Sequence, residues 1–166
     1  MRGKQAPVRE ILPDPKYNSI VIAKFINYIM LDGQKTIAQG IIYDVMNEID
    51  RLLKEKKIEG AENIKNAQEF LDVLLEKVTP MVEVKSRRVG GSNYQIPLPV
   101  RGNRRYYLAF TWLIDAARAR KGKAMYKRLL EEMLDAFHGT GATIKKKEDV
   151  YRMAEANRAF AHLARF

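Results

Sequence analysis

Residues 81–100 read Met81-Val82-Glu83-Val84-Lys85-Ser86-Arg87-Arg88-Val89-Gly90-Gly91-Ser92-Asn93-Tyr94-Gln95-Ile96-Pro97-Leu98-Pro99-Val100, and their pattern differs from everything around them. From Met81 to Val89, Val82, Glu83, Val84 and Lys85 alternate apolar with charged, the period of a strand rather than a helix. Gly90-Gly91-Ser92-Asn93 is turn chemistry, and Tyr94–Val100 is a returning strand. Pro97 and Pro99 lack the amide hydrogen that a central strand needs, which confines this strand to an exposed edge. The stretch therefore predicts one β-hairpin over residues 81–100. Two strands alone cannot bury both faces, so the hairpin must pack on a helix or project toward a partner.

On both sides of the hairpin the period is helical. Residues 1–18 hold Arg2, Lys4, Arg9 and Lys16 among Pro7, Pro13 and Pro15, and predict an extended basic arm. Asn18 or Ser19 offers an N-cap to an apolar helix ending near Leu31, with Gly33 placed to terminate it in a left-handed conformation. Thr36 and Gln39 have the spacing of a capping box, opening a helix in which Ile37, Ile41, Ile42, Val45, Met46, Ile49, Leu52 and Leu53 recur with a 3.6-residue period. Lys54–Lys65 is polar and predicts a loop; Asn66 followed by Glu69 starts a third helix that Thr79-Pro80 ends. Beyond the hairpin, Asn103 can cap a helix that Gly122 breaks. Lys123–Phe137 forms another, closed by Gly139 and Gly141, and Lys147 to about Leu163 the last. The expected fold class is mainly α, six helices with one extended β-hairpin between helices 3 and 4, in a single domain over residues 1–166.

A chain of 166 residues can hide roughly 70% of its unfolded surface and build a core without covalent staples. It has no cysteine, which removes disulfides, thiolate chemistry and cysteine zinc sites and predicts a reducing, cytoplasmic compartment. Met1–Pro7 is not followed by the apolar core of a secretory leader, and no run of eighteen apolar residues occurs, so neither export nor a membrane span is expected. The charge balance is the unusual feature: thirty Lys and Arg against twenty Asp and Glu give a net charge of +10. Such an excess favours a polyanionic partner, nucleic acid first and an acidic membrane surface second.

The surplus is concentrated. Asp32–Val78 holds seven basic and ten acidic residues, net −3, whereas Lys85–Arg128 holds twelve basic residues and only Asp115 as an acid, net +11. A solvated helix face usually interleaves both signs, because like charges at i,i+4 repel. Arg87-Arg88, Arg104-Arg105 and Arg118-x-Arg120-Lys121 instead stack like charges, and the arginine fork matches phosphate oxygens. Tyrosines beside these arginines point to RNA, with Tyr94 and Tyr106 as candidates for stacking on unpaired bases.

Catalytic patterns are missing. His138 and His162 stand far apart, each near a helix end, and none of the three serines lies in a Gly-x-Ser-x-Gly elbow. Gly90-Gly91 lacks the spacing of a phosphate-binding loop, and Asp44, Glu48 and Asp50 fit a solvated helix face. No nucleophile, base and orienting group come together, so the chain is not expected to be an enzyme or to use a cofactor or metal. A DNA-binding regulator would need a dimer and a free recognition helix. The helix from Asn103 is too rich in Tyr, Leu, Phe and Trp for that. An RNA-processing enzyme would need carboxylates near the basic rim, where Asp115 stands alone.

Three blocks carry a family resemblance: Val82–Pro97, the opening Ile11-Leu12-Pro13-Asp14-Pro15-Lys16-Tyr17 with Lys24-Phe25-Ile26-Asn27 and Asp32-Gly33-Gln34-Lys35, and the C-terminal run Lys146–His162. In this order they closely resemble the bacterial small-subunit ribosomal protein seven family over nearly the whole chain. Departures occur at Gln34, at Ala124, in the longer Lys54–Lys65 segment and in the ending His162-Leu163-Ala164-Arg165-Phe166. The resemblance implies a structural protein that binds the 3′ major domain of small-subunit ribosomal RNA early and organises the head. It implies a hairpin near exit-site transfer RNA and the messenger path, and small-subunit proteins nine and eleven as neighbours. No membrane and no homo-oligomer is expected, and the place of action is a ribosome of the cytoplasm or of an organelle. Carried over by position, Arg2, Lys4, Arg9 and Lys16 belong to the RNA-bound arm and Lys35 to the first interhelical turn. Arg101, Arg104, Arg105, Arg118, Arg120, Lys121 and Lys123 match the basic rim, and Lys145, Lys146, Lys147 and Arg152 the start of the final helix. Lys85, Arg87, Arg88, Gly90, Gly91 and Tyr94 match the hairpin near transfer RNA and messenger.

Overall fold

A computed structural model of the chain describes residues 3, 6, 7 and 9–165; Arg2 and Lys4 of the expected arm lie outside the described residues. The element order is α1 (Ile20–Ile29), α2 (Lys35–Lys54), α3 (Ala67–Val78), β1 (Val82–Val89), β2 (Ser92–Pro99), α4 (Asn103–Ala119), α5 (Met125–Phe137), α6 (Gly141–Ala156) and a closing 3₁₀ segment η1 (Arg158–Arg165). The expected fold class holds: a mainly helical protein with one antiparallel hairpin between the third and fourth helices.

One apolar cluster draws its side chains from α1 to α5. Phe25 of α1 stacks on Phe110 of α4 at 4.6 Å, and Phe70 of α3 stacks on Phe137 of α5 at 4.8 Å. Each ring is a large apolar area removed from water, and offset stacking adds to that burial. Even the Lys54–Lys65 segment contributes, since Ile58 and Ala61 are buried within an otherwise polar loop.

Several helix ends differ from the sequence expectation, and each has a local cause. Ser19 caps α1 as expected, its hydroxyl accepting from the Ile22 N–H at 3.4 Å. The helix stops at Ile29, however, and Gly33 (φ +74°) sits with Asp32 (φ +51°) in the turn that follows rather than at the helix end. The Thr36–Gln39 capping box does not form: α2 begins at Lys35, so Thr36 is already inside the first turn. Asn66 takes the N-cap position of α3, but the Ala67 N–H is satisfied by Asp50 of α2 at 2.7 Å, a cap supplied across the helix pair. Gly102 (φ +54°) occupies the N-cap position of α4, which leaves the Asn103 amide free to accept from Lys24 Nζ of α1 at 2.8 Å. Gly139 (φ +79°) closes α5 as expected, with the Gly139 and Thr140 amides returning to Ala136 and Asp135.

The largest shift is in α6, which starts at Gly141 rather than Lys147 and gives way to the 3₁₀ segment at Asn157 rather than running to Leu163. The early start rests on Glu132 of α5, a carboxylate that is 1% exposed. Its Oε1 accepts from both the N–H and the hydroxyl of Thr143, at 2.9 and 2.7 Å, and so satisfies an N-terminal donor of α6 from outside the helix.

The hairpin pairs Val82 with Pro99 through to Val89 with Ser92, leaving Gly90-Gly91 as a two-residue loop. Both glycines have positive φ, +57° and +91°, the conformation that matches the twist of a tight hairpin. The alternation in β1 signals a strand, but its buried position is Glu83, not the flanking valines. Across the pair, Ile96 is fully buried. The base of the hairpin packs on α6 and its returning strand on η1, where Tyr94 meets Phe160 at 5.1 Å. Of the two alternatives for an unsupported hairpin, the structure realises both: one face is packed on α6 and η1, while Arg87, Arg88 and Gly90-Gly91 near the turn are exposed.

The arm joins the body through Asp14, buried at 3% exposure. Its carboxylate accepts from the Lys16 and Tyr17 amides and, at 2.8 Å, from the Tyr43 hydroxyl of α2. Burial first, and then the bond to Asp14, push the Tyr43 phenol from 10.0 up to about 12. A folded-state pKa above the unfolded one means that this stabilisation is whole below pH 10 and is lost as pH rises toward 12. Tyr43→Phe is expected to cost about 1–3 kcal/mol near neutrality by stripping a partner from a buried carboxylate. The gap between the two chains in denaturant unfolding should shrink across that alkaline window, and a gap independent of pH would refute the account.

Candidate nucleic-acid interface

The cations expected to meet RNA divide into two groups once their neighbours are known. In the first, the charge is directed at the solvent. Arg9, Lys35, Arg87, Arg88, Arg101, Arg105, Arg118, Lys121, Lys145 and Lys146 are exposed and have no carboxylate partner among the described residues. Lys16 is exposed too, with Nζ on Asn47 Oδ1 at 2.8 Å. Arg118 also donates to the Ile29 carbonyl at the end of α1, which holds its side chain across the α1–α4 seam.

In the second group the cation is engaged by a group of the protein itself. Arg104 donates Nε and Nη2 to Glu83 at 3.0 and 2.9 Å, and Lys85 reaches the same carboxylate at 2.9 Å. Burial alone would raise the Glu83 carboxyl; the bonds from Lys85 and Arg104 outweigh it and hold the group below its ordinary range. Arg120, at the end of α4, contacts Glu131, Glu132 and Asp135 together, while Lys123 pairs with Glu131. Lys147 donates to the Lys77 carbonyl, and burial lowers its pKa. Arg152 pairs with Asp149 at 3.5 Å on the surface. The sequence could not separate the groups, because Glu131, Glu132 and Asp135 lie one helix away from the arginines they neutralise.

The aromatic candidates are similarly divided. Tyr94 is half-buried against Phe160, and Tyr151 accepts from the Met81 N–H through its hydroxyl, tying α6 to the hairpin base. Tyr106 stays at the surface, stacked on Phe110 at 6.2 Å with Lys24 Nζ 5.6 Å above its ring. Sequence reading overlooked Tyr28, which shares this surface; the spacing of Lys24, Asn27 and Tyr28 along one side of α1 is the signal that marks it.

No three-member His, Cys, Asp or Glu cluster suited to a metal occurs among the described residues, and none of their helices is long and apolar enough to cross a membrane. His138 and His162 are exposed, at the end of α5 and in η1. As a DNA-recognition helix α4 is unsuitable, since Leu108, Phe110, Leu113 and Ile114 bury its apolar side in the core.

Exposed arginines and lysines on a helical body, a hairpin with a cationic tip and surface tyrosines define a nucleic-acid-binding structural protein. Residues 1–158 match the family model described as ribosomal protein S7p/S5e. The chain is 52% identical over 161 residues, 97% of both chains, to the small ribosomal subunit protein uS7 of Acinetobacter baylyi. It matches that of Francisella tularensis subsp. holarctica at the same identity and coverage. That of F. tularensis subsp. novicida is 51% identical over the same share. The chain belongs to the ribosomal protein S7p/S5e family, RNA-binding structural proteins of the small ribosomal subunit and not enzymes.

Proposed function

We propose that this chain binds the 3′ major domain of small-subunit ribosomal RNA directly and nucleates assembly of the subunit head. On this reading it acts as one domain and one copy, on a cytoplasmic or organellar ribosome. Small-subunit proteins nine and eleven are its neighbours, and the tip at Arg87, Arg88, Gly90 and Gly91 lies near exit-site transfer RNA and the messenger path. Arg2 and Lys4 join Arg9 and Lys16 as arm contacts. The observation that supports this reading most is the set of carboxylate-free cations running from the hairpin tip through the start of α4 to α6, in a chain of this family. Phosphate contacts of this kind supply affinity and orientation.

The experiment is binding of the purified chain to a transcript of that RNA domain, with chemical footprinting, and co-sedimentation with small subunits. Protection spread equally over unrelated RNA of the same length would defeat the proposal. Within the basic rim, the difference in carboxylate partners supports a division between residues that bind and residues that hold the fold. Arg105→Ala, Arg118→Ala and Lys121→Ala should each weaken binding and lower the salt slope by about 1 while leaving the unfolding midpoint nearly unchanged. Arg120→Ala should do the reverse, since its partners are the chain's own carboxylates. Equal effects of Arg105→Ala and Arg120→Ala on both measurements would refute that division.

A further inference from the structure

We infer that α1 and α4 together form a slot for an unpaired RNA base, distinct from the phosphate contacts of the basic rim. The inference rests on the RNA-binding reading above and assigns a second kind of contact to the same partner. Tyr28 meets Tyr107 edge-on at 5.7 Å and lies 5.7 Å from Phe110, whose ring stacks in turn on Phe25 in the core. Tyr28, Tyr106 and Tyr107 are 37%, 36% and 38% exposed, although rings with so many apolar neighbours are commonly covered. Beside them a cavity of about 320 Å³ is lined by Ile11, Lys24, Asn27, Tyr28 and Asn103. That volume is at the small end of the range for ligand sites, roughly 300–1,000 Å³.

The surroundings select the occupant. Asn27 offers a side-chain donor and acceptor to the edge of a base, and Asn103, whose Oδ1 accepts from Lys24, keeps its amide donors for it. Lys24 lies over Tyr106, and the Arg104 guanidinium lies 4.6 Å from the Tyr107 ring centre, so cations rim the aromatic floor. An aromatic platform with amide readers and a cationic rim fits a base on a phosphate backbone, because every base has a stackable face and every linkage a negative charge. Lys24 and Asn103 already pair with each other and Arg104 with Glu83, so Asn27 is the side chain that an apolar protein segment would leave without a partner.

The test uses the full chain and three probes: a short single-stranded RNA, the same strand with bases removed at alternate positions, and the strand annealed to its complement. The intact strand should bind about 5- to 100-fold more tightly than the abasic one, the worth of one stacked base. Tyr28→Ala with Tyr107→Ala should erase that gap and leave the salt slope unchanged, whereas Tyr28→Phe with Tyr107→Phe should keep it. Equal binding of intact and abasic strands by the unaltered chain overturns the slot, and that comparison needs no variant to fold. A gap that survives the Ala pair overturns it as well. So does an Ala pair that binds all three RNAs normally yet fails to enter small subunits, which assigns the patch to a protein neighbour. Binding of the 3′ major domain without the gap removes the slot alone; a gap without binding of that domain removes the assembly reading instead.

Discussion

Affinity for the 3′ major domain of small-subunit ribosomal RNA is expected to fall by about 10³–10⁵ as monovalent salt rises from about 50 to 200 mM. Each phosphate that a cation neutralises releases condensed counterions, and added salt opposes the release. Eleven exposed cations of the predicted set have no carboxylate partner among the described residues, from Arg9, Lys16 and Lys35 through the hairpin to Lys145 and Lys146. A share of these reaching phosphate gives the ~6–10 contacts behind that loss. Lys123, held by Glu131, should contribute little, so Lys123→Ala leaves the slope where it was. Filter binding across a salt series measures this directly. A nearly flat series would show that shape or base contacts, not phosphate neutralisation, dominate.

Glu132→Ala is expected to cost about 2–4 kcal/mol of folding stability, the sum of lost charge-assisted hydrogen bonds and a lost helix cap. Glu132 Oε2 accepts from Arg120 Nε and Nη2 at 3.0 and 2.6 Å, and Oε1 accepts from Thr143. One carboxylate thus joins the end of α4, the middle of α5 and the first turn of α6. Removing it takes two bonds from a guanidinium that keeps Glu131 and Asp135, and it uncaps a helix at the same time. Gly141 shows how tightly the corner is built: a Cβ there would stand 3.0 Å from Glu132 Oε1 and 3.1 Å from Asp135 Cβ, on a backbone at φ +88°. The denaturant midpoint should fall with an unchanged slope, and a loss below about 1 kcal/mol would mean that the corner relaxes around the vacancy.

The hairpin and six helices were legible because their signals are local. Alternation in Met81–Val89, the Gly-Gly turn and the 3.6-residue period of α2 each lie within one element. What escaped depended on contacts between elements. The start of α6 is set by Glu132 eleven residues upstream, the first amide of α3 by Asp50, and the role of Asn103 by Lys24. The candidate interface followed the same rule. The concentration of charge in Lys85–Arg128 is readable from the chain, but the engagement of Arg104 and Arg120 by acids of other elements is not. Glu83 reversed a local expectation because a buried carboxylate with two cationic partners is tolerated on an inward face.

The two-residue turn of the hairpin also governs what its tip can touch. Side chains alternate across a strand, so the adjacent Arg87 and Arg88 leave β1 on opposite sides, one in register with Tyr94 and the other with Asn93. Both are exposed, and Gly90-Gly91 adds no side chain beyond them. The two flanks are unequal, because η1 lies against the Arg87 side, where Tyr94 meets Phe160, while Arg88 and Asn93 on the other side are both exposed. A polyanion can lie directly along the Arg88 side, whereas Arg87 must reach it past the edge of η1, so the same pair of arginines meets its partner by two routes.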